Sequence, residues 1–296
     1  AFRTAPGAAL ETLLGILPLH INIKCKAIST AFRLASIGLW NNNNIKTIVS
    51  EEIFKNRDYW KNSDNMIPKF CFEHSFETII KSRENVTQND YKQTKNETIW
   101  FTDGSKSIIN TAIGIFNAEF HVNLSVNVGN EASIFQAEIK AIELCAIECL
   151  KVVERDRQIV ICTDSQAALK ALRNAKVNSK TVWSCLENLQ KLGTQNDIRL
   201  IWVPGHSGIK GNEKADELAK AKVNTQVTDI ILPITQTKVK DHIKKISLKL
   251  HKESWKKVEG QRTAKLLLKA PNAKRAKSLL MTSQENVKLL TRMITG

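Results

Sequence analysis

The chain has 296 residues, 42% hydrophobic and 25% charged, with 44 Lys and Arg against 29 Asp and Glu, a formal net charge of +15. This length and composition exclude a disordered or fibrous chain and a mini-protein held by disulfides, and they suit about two domains. No apolar run approaches the ~20 residues of a membrane-spanning helix, since Glu11, Pro18 and His20 interrupt the richest one.

No secretory signal is read at the start, and Ala1 in place of Met reads as the beginning of a piece of a longer product. The six cysteines (25, 71, 145, 149, 162 and 185) contain no CxxC pair. They are expected as buried thiols in a reducing compartment, hence an intracellular location, cytoplasmic and/or nuclear. The glycosylation sequons at Asn85, Asn96 and Asn123 are then chance matches.

Charge divides the chain unevenly. Residues 1–96 hold 13 basic and 9 acidic side chains, residues 97–225 hold 15 of each, and residues 226–296 hold 16 and 5. The expected organisation is a helical segment over 1–80, a polar linker over 81–96, a domain over 97–225 and a basic, mostly helical extension over 226–296. The Asn41–Asn44 run reads as a loop, and Pro233 with the loss of helical periodicity over 222–237 reads as a second joint.

Strand and helix signals alternate through the middle. Thr98–Thr102 reads as a buried strand stopped by Asp103-Gly104. Thr111–Asn117 and Ala118–Val126 alternate with period two and should pair antiparallel. Residues 132–154 carry a helical apolar stripe, and Gln158–Thr163 is a continuous apolar strand. Two shorter helices near 165–174 and 179–192 precede a strand at Ile198–Val203. The loop 204–211 then leads into a helix from about Asn212 to Val223. The order implies an α/β fold with a mixed sheet, antiparallel first and parallel later, covered by helices.

Four carboxylates stand where packing alone would not put them. Asp103 and Asp164 each follow the end of a strand, and parallel neighbours would bring both to one sheet edge, where open α/β sheets place ligands. Glu138 lies on the apolar stripe of its own helix, a costly position for a carboxylate without a partner or metal. Asp216 borders the apolar face formed by Ala215, Leu218 and Ala219, whereas Glu143 and Glu148 lie off the stripe and are expected in solvent. Each acid has an ordinary explanation singly: a turn former, an N-cap, a paired or solvated charge. Together, converging carboxylates raise one another's pKa unless cations sit between them, and oxygen-only ligands suit Mg²⁺ or Mn²⁺. Two such ions form a clamp for phosphodiester chemistry. His206, in a loop with Gly205, Gly208 and Gly211, is placed to move a proton near neutral pH.

Phe101-Thr102-Asp103-Gly104-Ser105, Gln136-Ala137-Glu138, Cys162-Thr163-Asp164-Ser165-Gln166 and the block Trp202–Ala219, with Gly205-His206-Ser207-Gly208 inside it, together resemble type 1 ribonuclease H in residue type, order and spacing over about 97–224. The resemblance implies a ribonuclease H-like fold with a five-stranded mixed sheet whose first and fourth strands are adjacent. It implies Asp103, Glu138, Asp164 and Asp216 as ligands of two Mg²⁺ ions, with Mn²⁺ as a substitute, and His206 as a mobile histidine assisting turnover. Ser105, Ser165 and Gln166 are implied contacts to nucleic acid. The implied substrate is the RNA strand of an RNA–DNA hybrid, cut to 5′-phosphate products without a small-molecule cofactor or a membrane.

Two departures affect grip on the hybrid. Asn174–Thr181 is too short for the basic insertion of many cellular members, and Ser133-Ile134-Phe135-Gln136 lacks an Asn that reaches substrate in several relatives. Ala1–Leu34 resembles the segment between reverse transcriptase and ribonuclease H in non-LTR retrotransposon polyproteins, which implies an upstream reverse transcriptase as partner. Paired polymerase aspartates are absent, so polymerisation is not expected of this chain. The competing readings are a transposase or integrase of the same fold, disfavoured by Glu138 coming second in order, and a silent nucleic-acid-binding or polymerase-supporting module. The lysines over 244–257 are read either as the solvated face of a helix with Ile243, Ile246, Leu250 and Trp255 inward, or as a phosphate-binding extension.

Overall fold

A computed structural model of the chain describes residues 6–39, 63–87 and 96–295. The Asn41–Asn44 loop and residues 88–95 of the linker lie outside the described residues. The chain forms two compact units: residues 58–236, and a second unit built from both chain ends, 1–57 with 237–296.

The unit 58–236 is organised by one sheet. Its strands are β2 (Glu77–Ile79), β3 (Glu97–Lys106), β4 (Thr111–Asn117), β5 (Val122–Gly129), β6 (Gln158–Thr163) and β8 (Asp197–Trp202), in the order β2-β8-β6-β3-β4-β5. β3, β4 and β5 run antiparallel; β3, β6, β8 and β2 run parallel. This is the ribonuclease H-like α/β fold that the sequence implies, with six strands in place of five. The extra strand is β2, an edge strand of three residues too short to show a period of its own.

Alternation along the strands builds two apolar layers. Trp100, Ile159, Ile161 and Leu200 face one side and pack under α3 (Ile134–Val152) and α5 (Lys180–Gly193). Phe101, Val160, Cys162 and Ile201 face the other, with Ala215 of α6 (Lys210–Val223). Between β6 and α5 lie α4 (Gln166–Leu172) and β7 (Lys176–Ser179). α3 begins at a capping box: the Ser133 hydroxyl accepts from Gln136 N, and Gln136 Oε1 accepts from Ser133 N.

Several expectations change in three dimensions. Part of the segment 1–80 that was expected to be helical is strand: β1 (Asn65–Phe70) pairs antiparallel with β7, and β2 extends the main sheet. Asp64 anchors this run. Its carboxylate accepts from Ser179 Oγ at 2.8 Å, Thr181 N at 2.9 Å and Thr181 Oγ1 at 2.6 Å, capping α5 from a distant stretch of chain. The 222–237 joint is not free either. The Thr225 carbonyl accepts from Asn110 and Asn127, the Asp229 carboxylate accepts from Asn127 N, and the Pro233 carbonyl accepts from Gln136 Nε2. Glu143, expected in solvent, is buried because α5 covers it: Ser184 and Asn188 donate to Oε1, and Lys140 pairs at 3.0 Å.

The second unit contains α1 (Gly7–Leu14), α2 (Leu19–Ser36), α7 (Gln236–Lys257), α8 (Arg262–Leu267), α9 (Ala273–Leu280) and α10 (Gln284–Thr295). Ala9 and Leu13 from the front of the chain share a core with Trp255, Leu268, Leu279 and Ile294 from the back, and Arg275 donates to the Thr12 carbonyl at 3.0 Å. The buried stripe of α7 is Val239, Ile243, Ser247, His251 and Trp255, a strict i+4 row. Ile246 and Leu250, expected inward, are only half-buried because Ser247 and His251 take the central positions. Among the described residues no single helix is long and apolar enough to cross a membrane; α1 and α2 pass that test only as a pair bent by 55°. All six cysteines are buried and none is in a disulfide among the described residues.

Asp64→Ala removes the shared acceptor and strands the Thr181 amide and hydroxyl in a buried place. Denaturant titration of the variant should show a loss of about 2–3 kcal/mol. An unchanged midpoint would mean that residues 63–80 do not brace α5.

Candidate active site

The sheet register sets the acids side by side. Thr102 on β3 pairs with Thr163 on β6, so the next residues, Asp103 and Asp164, emerge as neighbours at one edge. β3 itself runs on to Lys106, three residues beyond the stop expected from Asp103-Gly104, because β4 continues to pair with it through Lys106↔Thr111. Asp164 is held from behind by Trp202, whose indole N–H donates to the Asp164 carbonyl at 3.0 Å.

Glu138 arrives from above the sheet on α3. Gly104 makes this approach possible: a β-carbon there would sit 3.1 Å from both Ala137 Cβ and Glu138 Oε1. Asp216 arrives from the opposite layer. Gly114 is the cross-strand partner of Asp103, and a β-carbon on it would overlap the Ala215 carbonyl of α6. A side chain on Gly211 would likewise overlap the Phe101 ring. These two glycines seat α6 directly on the sheet and bring Asp216 against Asp103.

One carboxylate oxygen from each of Asp103, Glu138 and Asp164 lies within 4.8 Å of the others. Asp103 and Glu138 are each only 6% exposed. Asp216 touches Asp103 but stands outside this tight group, and its Oδ2 accepts from Lys220 Nζ at 2.6 Å. Burial, followed by repulsion from Asp164 and Asp216, pushes the Asp103 pKa up to about 8. Burial, then Asp103 and Asp164, lifts Glu138 well above the usual carboxylate range. Asp164 is raised chiefly by burial, against a lowering pull from His206 and a further push from Asp216. The Gly104 N–H donates to Asp103 Oδ1 at 2.9 Å and also favours the charged form of Glu138.

A divalent cation fits this group. Glu138 Oε2 is buried without a hydrogen-bond partner, an orphaned acceptor of the kind a metal satisfies. The donors are all oxygens from three separate elements, which suits a hard cation. Gly205 leaves the space open, since a β-carbon there would lie 2.6 Å from Asp164 Oδ2.

The remaining predicted residues divide. His206 acts on Asp164 and sits at φ 52°, a left-handed conformation rare outside glycine, just before Gly208 at φ 80°. Ser105 is half-buried at the end of β3, beyond Asp103. Ser165 Oγ caps α4 by accepting from Ala168 N, and Gln166 Oε1 accepts from Lys170. Gln136, beside Glu138 in the motif, is fully buried and spent on the capping box and on Pro233. Three contributors have no chemical signature of their own in the sequence: Gly114, whose role is a close approach; Trp202, which acts through its N–H; and Lys220, which closes on Asp216 one helical turn later.

A mixed α/β sheet with acids gathered at the carboxyl edge of two parallel strands defines a protein built to hold cations at that edge. The model of the RNase H family matches residues 95–224. The chain is 31% identical over 149 residues to the ribonuclease H of Francisella philomiragia, covering 92% of that protein and 44% of this chain. It is 30% identical over 149 residues to that of Francisella tularensis subsp. novicida, with the same coverage, and 37% identical over 93 residues to that of Geotalea uraniireducens, covering 61% of that protein and 26% of this chain. The chain belongs to the ribonuclease H family.

The pKa directions set a pH dependence. The unfolded chain ionises Asp103 near pH 4, but the folded chain holds its proton up to about pH 8. Stability from that proton is therefore complete below pH 4 and lost as pH climbs to 8. Metal-free protein should melt at least ~5 °C lower at pH 8.5 than at pH 5. Asp103→Asn should flatten the slope, and Mn²⁺ should raise the midpoint more at the higher pH. A flat profile in the wild type would contradict the repulsive cluster. Gly205→Ala should push Asp164 aside and weaken Mn²⁺ binding about 10–100-fold by calorimetric titration, with the melting midpoint of the apo protein preserved. Unaltered Mn²⁺ affinity would show that Asp164 is not a ligand.

Proposed function

We propose that this chain hydrolyses the RNA strand of RNA–DNA hybrids. The observation that carries the reading is the convergence of Asp103, Glu138 and Asp164, from three elements, within 4.8 Å of one another, with one buried oxygen unpartnered. Asp103, Glu138, Asp164 and Asp216 hold two divalent ions in this reading, Mg²⁺ with Mn²⁺ as a substitute. When bound, such ions stabilise charge on phosphoryl oxygens and make water a nucleophile at neutral pH.

The protein's own groups do the rest. The Gly104 and Trp202 N–H groups keep Asp103 and Asp164 in position. Lys220 pairs with Asp216, orients its carboxylate and offsets part of the local negative charge. His206, on its strained turn, passes a proton at its ring nitrogen to the departing 3′ oxygen, which leaves a 5′ phosphate on the other product. Ser105, Ser165 and Gln166 meet the hybrid backbone along the same edge. Telling RNA from DNA falls to contacts with the 2′-hydroxyl groups.

The resemblance of Ala1–Leu34 to the segment after reverse transcriptase supports an origin in a non-LTR retrotransposon polyprotein, with the polymerase upstream as partner. Six buried cysteines outside any disulfide among the described residues suit an intracellular setting. Catalysis is assigned to 97–225, which lies within the compact unit 58–236 and shares its sheet with β2. One observation favours a silent binding module instead: Lys220 already occupies an oxygen of Asp216.

A labelled RNA–DNA hybrid incubated with Mg²⁺ decides between them. The wild type should cut the RNA strand, and Asp164→Asn should reduce the rate at least ~1000-fold while leaving the fold intact. His206→Ala should slow turnover about a hundredfold. No cleavage by the wild type would remove the nuclease reading, and full activity in Asp164→Asn would remove the site.

A further inference from the structure

The ribbon formed by β1 and β7 has two unlike faces. On the inner face Val177 is buried, Cys71 accepts from Gln190 Nε2 at 3.2 Å, and the Lys69 ammonium lies 4.6 Å from the centre of the Trp183 ring. On the outer face Phe70 and Phe72 are 57% and 80% exposed. Their rings lie parallel, 5.9 Å apart at 9°. Lys176 is the cross-strand partner of Phe70, so its exposed side chain stands on the same face. Among the described residues of this unit, two stacked aromatic rings left in water beside a lysine serve no packing purpose.

The place of the ribbon in the chain is informative. β7 follows α4, and α4 follows Asp164 directly. Gln166, Lys170 and Arg173 are spaced i, i+4 and i+7, so they share one side of α4, and both cations are exposed. A helix of this length rises about 10 Å. In chain order a polar and basic row therefore follows the catalytic edge and is followed in turn by Lys176, which stands beside Phe70.

We infer that the outer face of the β1–β7 ribbon binds an unpaired nucleic-acid strand continuous with the hybrid at the carboxylates, its bases stacking on Phe70 and Phe72 and its phosphates meeting Arg173 and Lys176. The inference rests on the nuclease reading for the origin of that strand. Chemistry favours this occupant over a protein. Exposed aromatic rings interleaved with cations take bases in any sequence order. Arg173 and Lys176 on the row suit phosphates, not an apolar protein surface. The upstream strand β1 supplies the aromatic half of the surface, so a segment outside the family match completes the grip.

The test compares two hybrids, one blunt and one carrying an unpaired extension of about six nucleotides. Affinities are read by fluorescence anisotropy with Mg²⁺ at moderate salt in the cleavage-deficient Asp164→Asn background, and cleavage of the blunt hybrid by the chain with Asp164 intact is followed in parallel. With the wild-type ribbon, the extended hybrid should bind about tenfold more tightly. Phe70→Ser/Phe72→Ser should abolish that gain without altering cleavage of the blunt hybrid. Lys176→Glu, which removes no packed side chain, should reduce the gain severalfold, so a folding defect in the double variant would not rescue the idea. No gain with the wild-type ribbon, or a gain that survives both variants, overturns the proposal. So does light scattering that shows the phenylalanines hold two copies of the chain together. Absent cleavage with the gain intact would sink the nuclease reading alone.

Discussion

Bringing three carboxylates within 4.8 Å of one another at a largely water-excluded edge is electrostatically unfavourable, and much of this fold serves to impose it. Without a cation the group protonates: Asp103 holds its proton to about pH 8, and Glu138 is raised well beyond the ordinary range. A cluster that relaxed freely would spread apart. It does not spread, because each acid is attached to something rigid. Asp103 and Asp164 are locked by the β3–β6 register, Glu138 by a helix with a capping box at its start, and Asp216 by a helix pressed onto Gly114. The unfavourable energy is carried by the cores on both faces of the sheet, where a fully buried Ile or Leu contributes roughly 1.5–3 kcal/mol. A cation converts that stored repulsion into affinity.

The glycines explain how two helix layers reach one point. A helix held off the sheet by side chains at positions 114 and 211 could not seat Ala215 against the strand that pairs with Asp103. Gly114 and Gly211 remove the side chains that would keep α6 away, and Gly104 does the same for α3. Gly205 works differently, because it clears room beside the Asp164 carboxylate. Positions that look like loop or strand punctuation therefore act on the chemistry through the space they leave.

The chemistry was more legible in the sequence than its support. Asp103 and Asp164 follow apolar strands, and Glu138 interrupts an apolar stripe, so their convergence, together with the motifs around them, is legible in the sequence although each acid alone has an ordinary explanation. Residues 63–80 carry no comparable pattern. β1 contains Pro68 and Lys69, β2 has three residues, and both become strands only because β7 and β8 offer open edges. Glu143 misled for a related reason. Helical periodicity identifies one buried face, whereas α3 is covered on two, by the sheet and by α5. On α7 the inward row includes Ser247 and His251, so ranking positions by hydrophobicity drew the stripe through Ile246 and Leu250 instead. In each case the deciding partner is distant in the chain.

Charge separates along the same division. The unit 58–236 holds 21 Lys and Arg against 22 Asp and Glu, and the unit made of both chain ends holds 23 against 7. The entire excess belongs to the helical unit, which joins α1 to the basic helices in one core. A nearly neutral catalytic unit has little long-range attraction for a polyanion, and its acidic edge repels phosphate locally. The edge becomes attractive to a phosphodiester only once its carboxylates are neutralised by bound cations. At physiological salt, fields fade over about 8 Å, so neutralisation of the edge has to come from charges in direct reach of its carboxylates. Basic excess and converging acids are thus carried by separate parts of the chain: 23 Lys and Arg against 7 acids in the helical unit, and the clustered carboxylates in the nearly neutral one.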